Sequence, residues 1–320
     1  MVFVLDISFF FGNNGTVVES CSQGRAMPTK TTARMKDPLV KPYIKWAGGK
    51  RQLLQVISAH LPKALGNLRY FEPFVGAGAL FLNCQPSKAV INDNNEELIM
   101  TYKVIRDHVD ELIEELNSHK AQNSPEYYYR VREQDRNRGA FAEFTNIQKA
   151  ARLIYLNKTC FNGLYRVNSQ GLFNVPYGRY INPAICDEPV LRAIHGYLNH
   201  EKVKVEILNG DFATAVEEAD RNSFIYFDPP YHSPDNTNFT GYQASKFDED
   251  EQRRLLEVFV ARTQAGAKCL LSNSDTPFVR ELYGNKQFDF EIITVKAKRV
   301  INSDSAGRGE IDEVLIKNWS

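Results

Sequence analysis

Ser223-Phe224-Ile225-Tyr226-Phe227 is an unbroken run of β-formers that stops in Asp228-Pro229-Pro230-Tyr231. No other junction constrains the chain as strongly. The run reads as a buried strand. Two prolines cannot continue its ladder, because each lacks the N–H and has a locked φ. The strand therefore ends there and delivers a carboxylate, carbonyls and an aromatic face to the carboxyl edge of a sheet. That set can hold a flat ring bearing a planar exocyclic amine. Asp228 and a proline carbonyl accept the two amine protons while Tyr231 stacks on the ring. A proline-rich turn after a core strand is the simpler account of so short a motif, so support is needed from elsewhere in the chain.

Strand patterns fall at 69–74, 89–92, 203–208, 223–227, 267–272, 291–298 and 311–319, and helical patterns at 51–60, 95–118, 126–136, 146–157, 249–263 and 276–283. This alternation predicts an open α/β sheet. The last two strands have no clear helix between them, which predicts a hairpin at one edge. Between about 120 and 200 the alternation gives way to a stretch rich in Tyr, Arg and Asn. It reads as an inserted, mostly helical substrate domain spanning 121–200, with the main domain formed by 39–120 and 201–320. Residues 1–38 lack periodicity and read as a disordered leader, with an arm that touches a partner as the alternative.

A chain of 320 residues is long enough for a full core. The formal net charge is zero, but its distribution is uneven. Arg25, Lys30, Arg34, Lys36, Lys41, Lys45, Lys50 and Arg51 crowd the N-terminal part. A second basic series includes Arg130, Arg132, Arg136, Arg138, Lys149, Arg152, Lys158, Arg166 and Arg179. Such asymmetry suits a polyanion-binding face, and solvated helix faces are the competing explanation. Five scattered cysteines without a C-x-x-C pair, and six histidines without an H-x-x-x-H pair, argue against a disulfide framework and against a bound metal. The apolar start at 2–11 is short and contains Asp6, which suits neither a membrane span nor a signal peptide.

Phe71-Glu72-Pro73-Phe74-Val75-Gly76-Ala77-Gly78-Ala79 follows the first strand and opens a helix. Gly76 and Gly78 allow close approach of a ligand to the backbone. A dinucleotide fingerprint needs a third glycine where Phe81 stands, and a phosphate loop needs glycine where Ile44 stands. A nucleoside without phosphates fits better. Asp93 ends the second strand, where an acid can accept both ribose hydroxyls or cap the next helix. Trp46 and Lys50, in Lys45-Trp46-Ala47-Gly48-Gly49-Lys50, offer a flat cover and a cation. In Leu156-Asn157-Lys158-Thr159-Cys160-Phe161-Asn162-Gly163-Leu164-Tyr165-Arg166 and Phe173-Asn174-Val175-Pro176-Tyr177-Gly178-Arg179-Tyr180, aromatic, amide and guanidinium groups interleave. Arginine forks read guanine, asparagine reads adenine, and an aromatic wedge fills a stack from which a base has left. Buried aromatics would instead make these segments core. The tract 236–242 reads as a loop able to close on a ligand.

Taken in order, these motifs resemble the Dam-type DNA adenine-N6 methyltransferases (D12 class, alpha group), and most closely the adenine methylases of DpnII-type restriction systems. The likeness spans about 40–318 and rests on Lys-Trp-Ala-Gly-Gly-Lys at 45–50, Phe-Glu-Pro-Phe-Val-Gly-Ala-Gly at 71–78, Asn-Asp at 92–93, Phe-Asn-Gly-Leu-Tyr-Arg at 161–166, Phe-Asn-Val-Pro-Tyr-Gly-Arg-Tyr at 173–180 and Asp-Pro-Pro-Tyr at 228–231. It implies a Rossmann-like S-adenosylmethionine-dependent fold with an inserted target-recognition domain. It further implies that Trp46, Lys50, Phe74, Gly76, Gly78, Asp93, Asp211 and Asp228 hold S-adenosylmethionine, with Asp211 near the adenine ring, and that Asp228, Pro229, Pro230 and Tyr231 are catalytic. Phe161 matches the wedge and Arg166 the guanine reader. Lys45, Lys158, Asn162, Leu164, Asn168, Pro176, Arg179 and Tyr180 join them as expected DNA contacts. Thr159-Cys160 departs from the basic-aromatic pair that some members carry before the wedge, which leaves flanking contacts open.

The implied activity is methyl transfer to the N6 amine of adenine in double-stranded DNA, within 5′-GATC-3′, by base flipping and direct in-line attack without a metal. The implied setting is the cytoplasm at the nucleoid, without a membrane. Work beside a cognate restriction endonuclease, without a stable complex, and housekeeping marking both stay open. An RNA substrate and a catalytically silent DNA-binding module are the alternatives. Asp228 argues against a protein-amide substrate, because the related turn in such enzymes begins with Asn.

Overall fold

Among the described residues seven strands, β1 (Arg69–Glu72), β2 (Lys88–Asp93), β3 (Lys204–Asn209), β4 (Ser223–Phe227), β5 (Lys268–Ser274), β6 (Glu291–Lys298) and β7 (Glu310–Lys317), make one sheet. Their order is β3-β2-β1-β4-β5-β7-β6. The first five run parallel, and β7 lies antiparallel to both β5 and β6. The chain reverses its winding at β1 and β4, where two βα halves diverge. In open α/β sheets this is where a ligand crevice forms. This computed structural model describes residues 35–46, 48, 50, 53–233, 247–298 and 310–320. The expected loop at 236–242 and residues 1–34 of the expected leader lie outside them.

Strand β4 shows why the central strands are apolar throughout. All five of its residues are buried, but they alternate between two cores. Phe224 and Tyr226 join Tyr70, Ile91, Leu270 and Leu315 on one face. Ile225 and Phe227 join Phe71, Val90, Leu271 and Ile316 on the other. A strand covered on both faces has no polar side to show.

Among the described residues the α-helices are α1 (Leu54–Ala59), α2 (Ala79–Cys84), α3 (Glu96–Asp107), α4 (Val109–Gln122), α5 (Pro125–Glu133), α6 (Arg138–Ala142), α7 (Asn146–Thr159), α8 (Glu188–Leu198), α9 (Phe212–Ala215), α10 (Glu249–Gln264) and α11 (Pro277–Tyr283). The single helix expected over 95–118 is two. His108 adopts φ −140° and ψ 47°, outside the helical region, and separates α3 from α4. Helices α3 and α4 both pack on α7 and α8, and α3 packs on β2 and β3 as well. Asn95, whose side chain accepts from the Leu98 N–H, caps α3.

The second basic series is only in part a surface. Arg152 is buried. It donates to the Val131 and Arg132 carbonyls and pairs with Asp135 at 2.9 Å. Arg136 also pairs with Asp135 and donates to the Phe173 carbonyl. Asp135 in turn accepts from the Phe173 N–H at 2.9 Å. These charges pin the 166–174 hairpin onto α5 and α7, because a buried carboxylate is tolerated only with such partners.

Candidate active site

Four strand ends meet at the carboxyl edge of the sheet, and each carries a polar or glycine-rich turn. After β1, Gly76 and Gly78 take φ of +50° and +70°, the left-handed region that glycine enters without strain. Gly78 also lacks room for a side chain. A Cβ there would lie 2.5 Å from the Tyr102 hydroxyl, which itself donates to the Gly76 carbonyl at 3.1 Å. Asp93 at the end of β2 closes the loop from the other side. Its carboxylate accepts from the Gly76 N–H at 3.0 Å and the Asn95 N–H at 2.9 Å. Burial pushes the Asp93 carboxyl up, and those N–H groups pull it back. Trp46 lies against the same loop, its Cδ1 only 3.0 Å from where a Gly76 Cβ would be.

After β4, Asp228 sits 16% exposed and pairs with the Lys50 ammonium at 3.0 Å. The Ser272 hydroxyl, on β5, donates to the same carboxylate at 2.7 Å. Burial raises the Asp228 pKa, with Lys50 and Ser272 opposing the rise. Lys50 also donates to the Gly48 carbonyl at 2.8 Å and stands 4.2 Å above the Tyr231 ring. A nitrogen rich in N–H donors is thus held between the Asp228 carboxylate and the Tyr231 face. Tyr231 donates to Glu313 of β7 at 2.9 Å. Burial, with Asp228 and Glu313 adding to it, keeps the phenol well above its usual pKa. Glu72, at the end of β1, accepts from the Tyr70 hydroxyl at 2.5 Å. Burial pushes its carboxyl well up, and nearby Asp228 adds to the rise.

The Pro-Pro-Tyr turn is braced from behind by two buried amides. Gln252 of α10 donates to the Pro230 carbonyl at 2.9 Å, and Asn273 of β5 donates to Gln252 at 3.0 Å. Asn273 also accepts from the His232 N–H at 3.1 Å. Ser272, Asn273, Gln252 and Glu313 were not among the residues singled out from the sequence. The polar Ser272-Asn273-Ser274 at the end of an apolar strand is the one signal that could have marked the first two.

The structure therefore brings Lys50, Asp228 and Tyr231 together in one group, and Trp46, Gly76, Gly78 and Asp93 in another. Phe74 stacks on Phe212 at 5.1 Å. Asp211 caps α9 and pairs with Arg254 at 2.5 Å, so two intramolecular partners already use its carboxylate.

The expected DNA contacts divide. Phe161 is 51% exposed on a turn that Asn162 enters at φ +57°. The turn is tied down by its N–H bond to the Pro176 carbonyl at 2.8 Å. Arg179 and Pro176 are exposed, Lys158 and Leu164 are half-buried, and Lys45 lies 5.7 Å over the Tyr180 ring. Arg166 is exposed and donates to the Asn174 side chain at 2.8 Å. Asn168 instead shapes a turn, accepting from Gln170 and Leu172. Tyr165 and Phe173 are buried core and Tyr177 and Tyr180 are half-buried, so of the interleaved aromatics Phe161 is the most exposed. Among the described residues no cluster of His, Cys, Asp or Glu could hold a metal, and no helix is long and apolar enough to cross a membrane.

Residues 46–301 match the model of the D12 class N6 adenine-specific DNA methyltransferases. The type II methyltransferase M1.LlaDCHI of Lactococcus lactis subsp. cremoris is 43% identical over 281 residues, covering 88% of this chain and 96% of that protein. The type II methyltransferase M.MjaIII of Methanocaldococcus jannaschii is 44% identical over 297 residues, covering 88% and 99%. The DNA adenine methylase of Escherichia coli K12 is 34% identical over 281 residues, covering 85% and 93%.

Proposed function

This chain belongs to the D12 class of N6-adenine-specific DNA methyltransferases, and we propose that it methylates adenine within 5′-GATC-3′ of double-stranded DNA, on a base flipped into the Asp228–Tyr231 site. S-adenosylmethionine, when bound, supplies an electrophilic methyl group on its sulfonium. The residues present fit that donor. A glycine loop bare of side chains, an acid at the end of β2, an indole beside them and no phosphate-binding signature suit a nucleoside with an amino-acid tail. We assign Trp46, Lys50, Phe74, Gly76, Gly78, Asp93, Asp211 and Asp228 to it, 39–120 and 201–320 to catalysis, and 121–200 to target recognition.

The observation that carries the catalytic reading is the placement of Lys50. Its ammonium is gripped by Asp228, 3.0 Å away, above the Tyr231 face, 4.2 Å away. An adenine amine offers the same N–H donors and adds a ring for Tyr231. Asp228 and the Pro229 carbonyl then accept the two amine hydrogens, which favours a pyramidal nitrogen with its lone pair free of the ring. Methyl transfer would join that nitrogen to the carbon released by the donor's sulfonium, and the Asp228 carboxylate, which already accepts one amine hydrogen, would take the proton that the nitrogen sheds. Tyr231, held by Glu313, keeps the base in plane. Positioning and a fixed electrostatic environment supply most of the acceleration. Phe161 is the wedge that fills the vacated stack, and Arg166 reads guanine. Lys45, Lys158, Asn162, Leu164, Asn168, Pro176, Arg179 and Tyr180 are the surrounding contacts. The type II names of two relatives support a role beside a cognate restriction endonuclease.

Labelled-methyl transfer to two duplexes differing in a single GATC site tests this. Label confined to the GATC duplex is expected. Equal label on both refutes the GATC assignment, and no label on either refutes the catalytic one.

A further inference from the structure

We propose that Asn157 is a positioning residue that locks the wedge turn to the cofactor-side segment Lys45–Trp46, and so sets how sharply the enzyme discriminates its DNA site. The proposal rests on the functional reading above. Asn157 lies in the last turn of α7 and is 1% exposed. Its amide oxygen accepts from the Lys45 N–H at 3.0 Å. Its amide nitrogen donates to the Lys45 carbonyl at 2.8 Å and the Gly163 carbonyl at 3.0 Å. One buried side chain thus bonds two backbone segments 118 residues apart in sequence (163 − 45).

The joint is tight on both sides. Gly163 has φ +65°, and a Cβ there would come 2.5 Å from Lys45 Cδ and 3.1 Å from Lys45 Cβ. The lysine stem therefore fills the space that a side chain at 163 would need. The next residue along, Trp46, stacks on Tyr165 at 4.9 Å and touches the Gly76 loop. Residues 45 and 46 are held between the turn that carries Phe161 and Asn162 and the loop that closes on Asp93. Only an amide can serve here, because the site presents one N–H and two carbonyls. A carboxylate would face both carbonyls with no proton to give, and an aliphatic group would leave all three unpaired.

The test compares wild type, Asn157→Leu and Gly163→Ala, with kcat/KM measured on a GATC duplex and on one with a single base replaced, beside the Tm of each protein. Asn157→Leu is expected to lower the discrimination ratio about tenfold, the scale of one buried hydrogen bond lost from a recognition element. Gly163→Ala strains the same joint without touching the amide and is expected to shift the ratio in the same direction. A cycle with Phe161→Ala is expected to be non-additive. Variants with a lowered Tm but a discrimination ratio within about twofold of wild type would overturn the proposal and leave Asn157 as core only. Should Asn157→Leu fail to fold, the ratio for Gly163→Ala decides alone. Wild type that labels both duplexes equally refutes the target-recognition reading, and this proposal with it. Discriminating wild type beside equally discriminating variants refutes this proposal alone.

Discussion

Replacing Lys50 by Met strands Asp228. The two side chains are only 7% and 16% exposed and their charges 3.0 Å apart, so the pair is largely screened from water. Methionine preserves the stem and its packing while removing the charge. Removing one partner of a buried pair typically costs about 3–5 kcal/mol, because the other charge is left without compensation. Asp228 keeps the Ser272 hydroxyl at 2.7 Å, which places the expected loss near the lower end, about 3 kcal/mol. The carboxylate can escape by taking up a proton. Burial already raises its pKa, and Lys50 is the largest opposing influence, so the variant pKa rises further. A folded-state pKa above the unfolded one leaves no penalty below the unfolded value, about 4 for a carboxylate. The penalty grows as pH rises and levels off above the folded pKa. The deficit of Lys50→Met is therefore expected to be largest at about pH 8 and to shrink toward pH 5, by no more than about 1.4 kcal/mol per pH unit. Urea unfolding of both proteins at the two pH values measures it. A deficit equal at both, or none at the higher pH, would mean that Lys50 does not compensate the Asp228 charge.

Three further substitutions probe other parts of the site. Gly78→Ala forces a left-handed alanine, about 1–2 kcal/mol, and drives its Cβ toward the Tyr102 hydroxyl, 2.5 Å away. Differential scanning calorimetry should show a Tm lowered by several degrees, and titration calorimetry a cofactor affinity reduced about tenfold or more. Arg166→Ala removes an exposed guanidinium, so stability should change by less than about 0.5 kcal/mol. Discrimination against altered GATC sites should relax by about 1–3 kcal/mol, read from competition between duplexes. Gln252→Ala unpairs the Pro230 carbonyl and the Asn273 amide. Single-turnover rates should fall about tenfold with little change in KM for DNA, whereas a lowered Tm alone would make Gln252 merely structural.

The sheet was legible because its signals are local. Ser223–Phe227 carries its burial in consecutive apolar residues, and the prolines at 229 and 230 mark its end without any partner. Glycines at 76 and 78 are needed for backbone reasons that two residues can carry. The rest depends on distant partners. Asn157 looks like any helix amide until Lys45 arrives from 112 residues away. Arg136 and Arg152 look like a basic face until Asp135 and the Phe173 backbone claim them. The break at His108 has no proline or glycine to mark it; α3, which also packs on β2 and β3, ends there while the chain continues along α7 and α8. Helix α8 buries Val190, Leu191, Ile194, Tyr197 and Leu198. That stripe has helical spacing, and it lay unmarked at the end of a tract read chiefly for its aromatic and basic loops.

In the proposed mechanism the Asp228 carboxylate receives the adenine amine. Single-turnover methyl transfer by Asp228→Asn, beside its cofactor affinity, tests it most directly, because the amide keeps the shape but loses the charge. The expected result is a rate lowered about a hundredfold or more, on the scale of removing one fixed electrostatic partner from an active site, with cofactor affinity changed by less than about tenfold. Transfer within a few-fold of wild type, or a rate loss matched by an equal loss of cofactor binding, would contradict it.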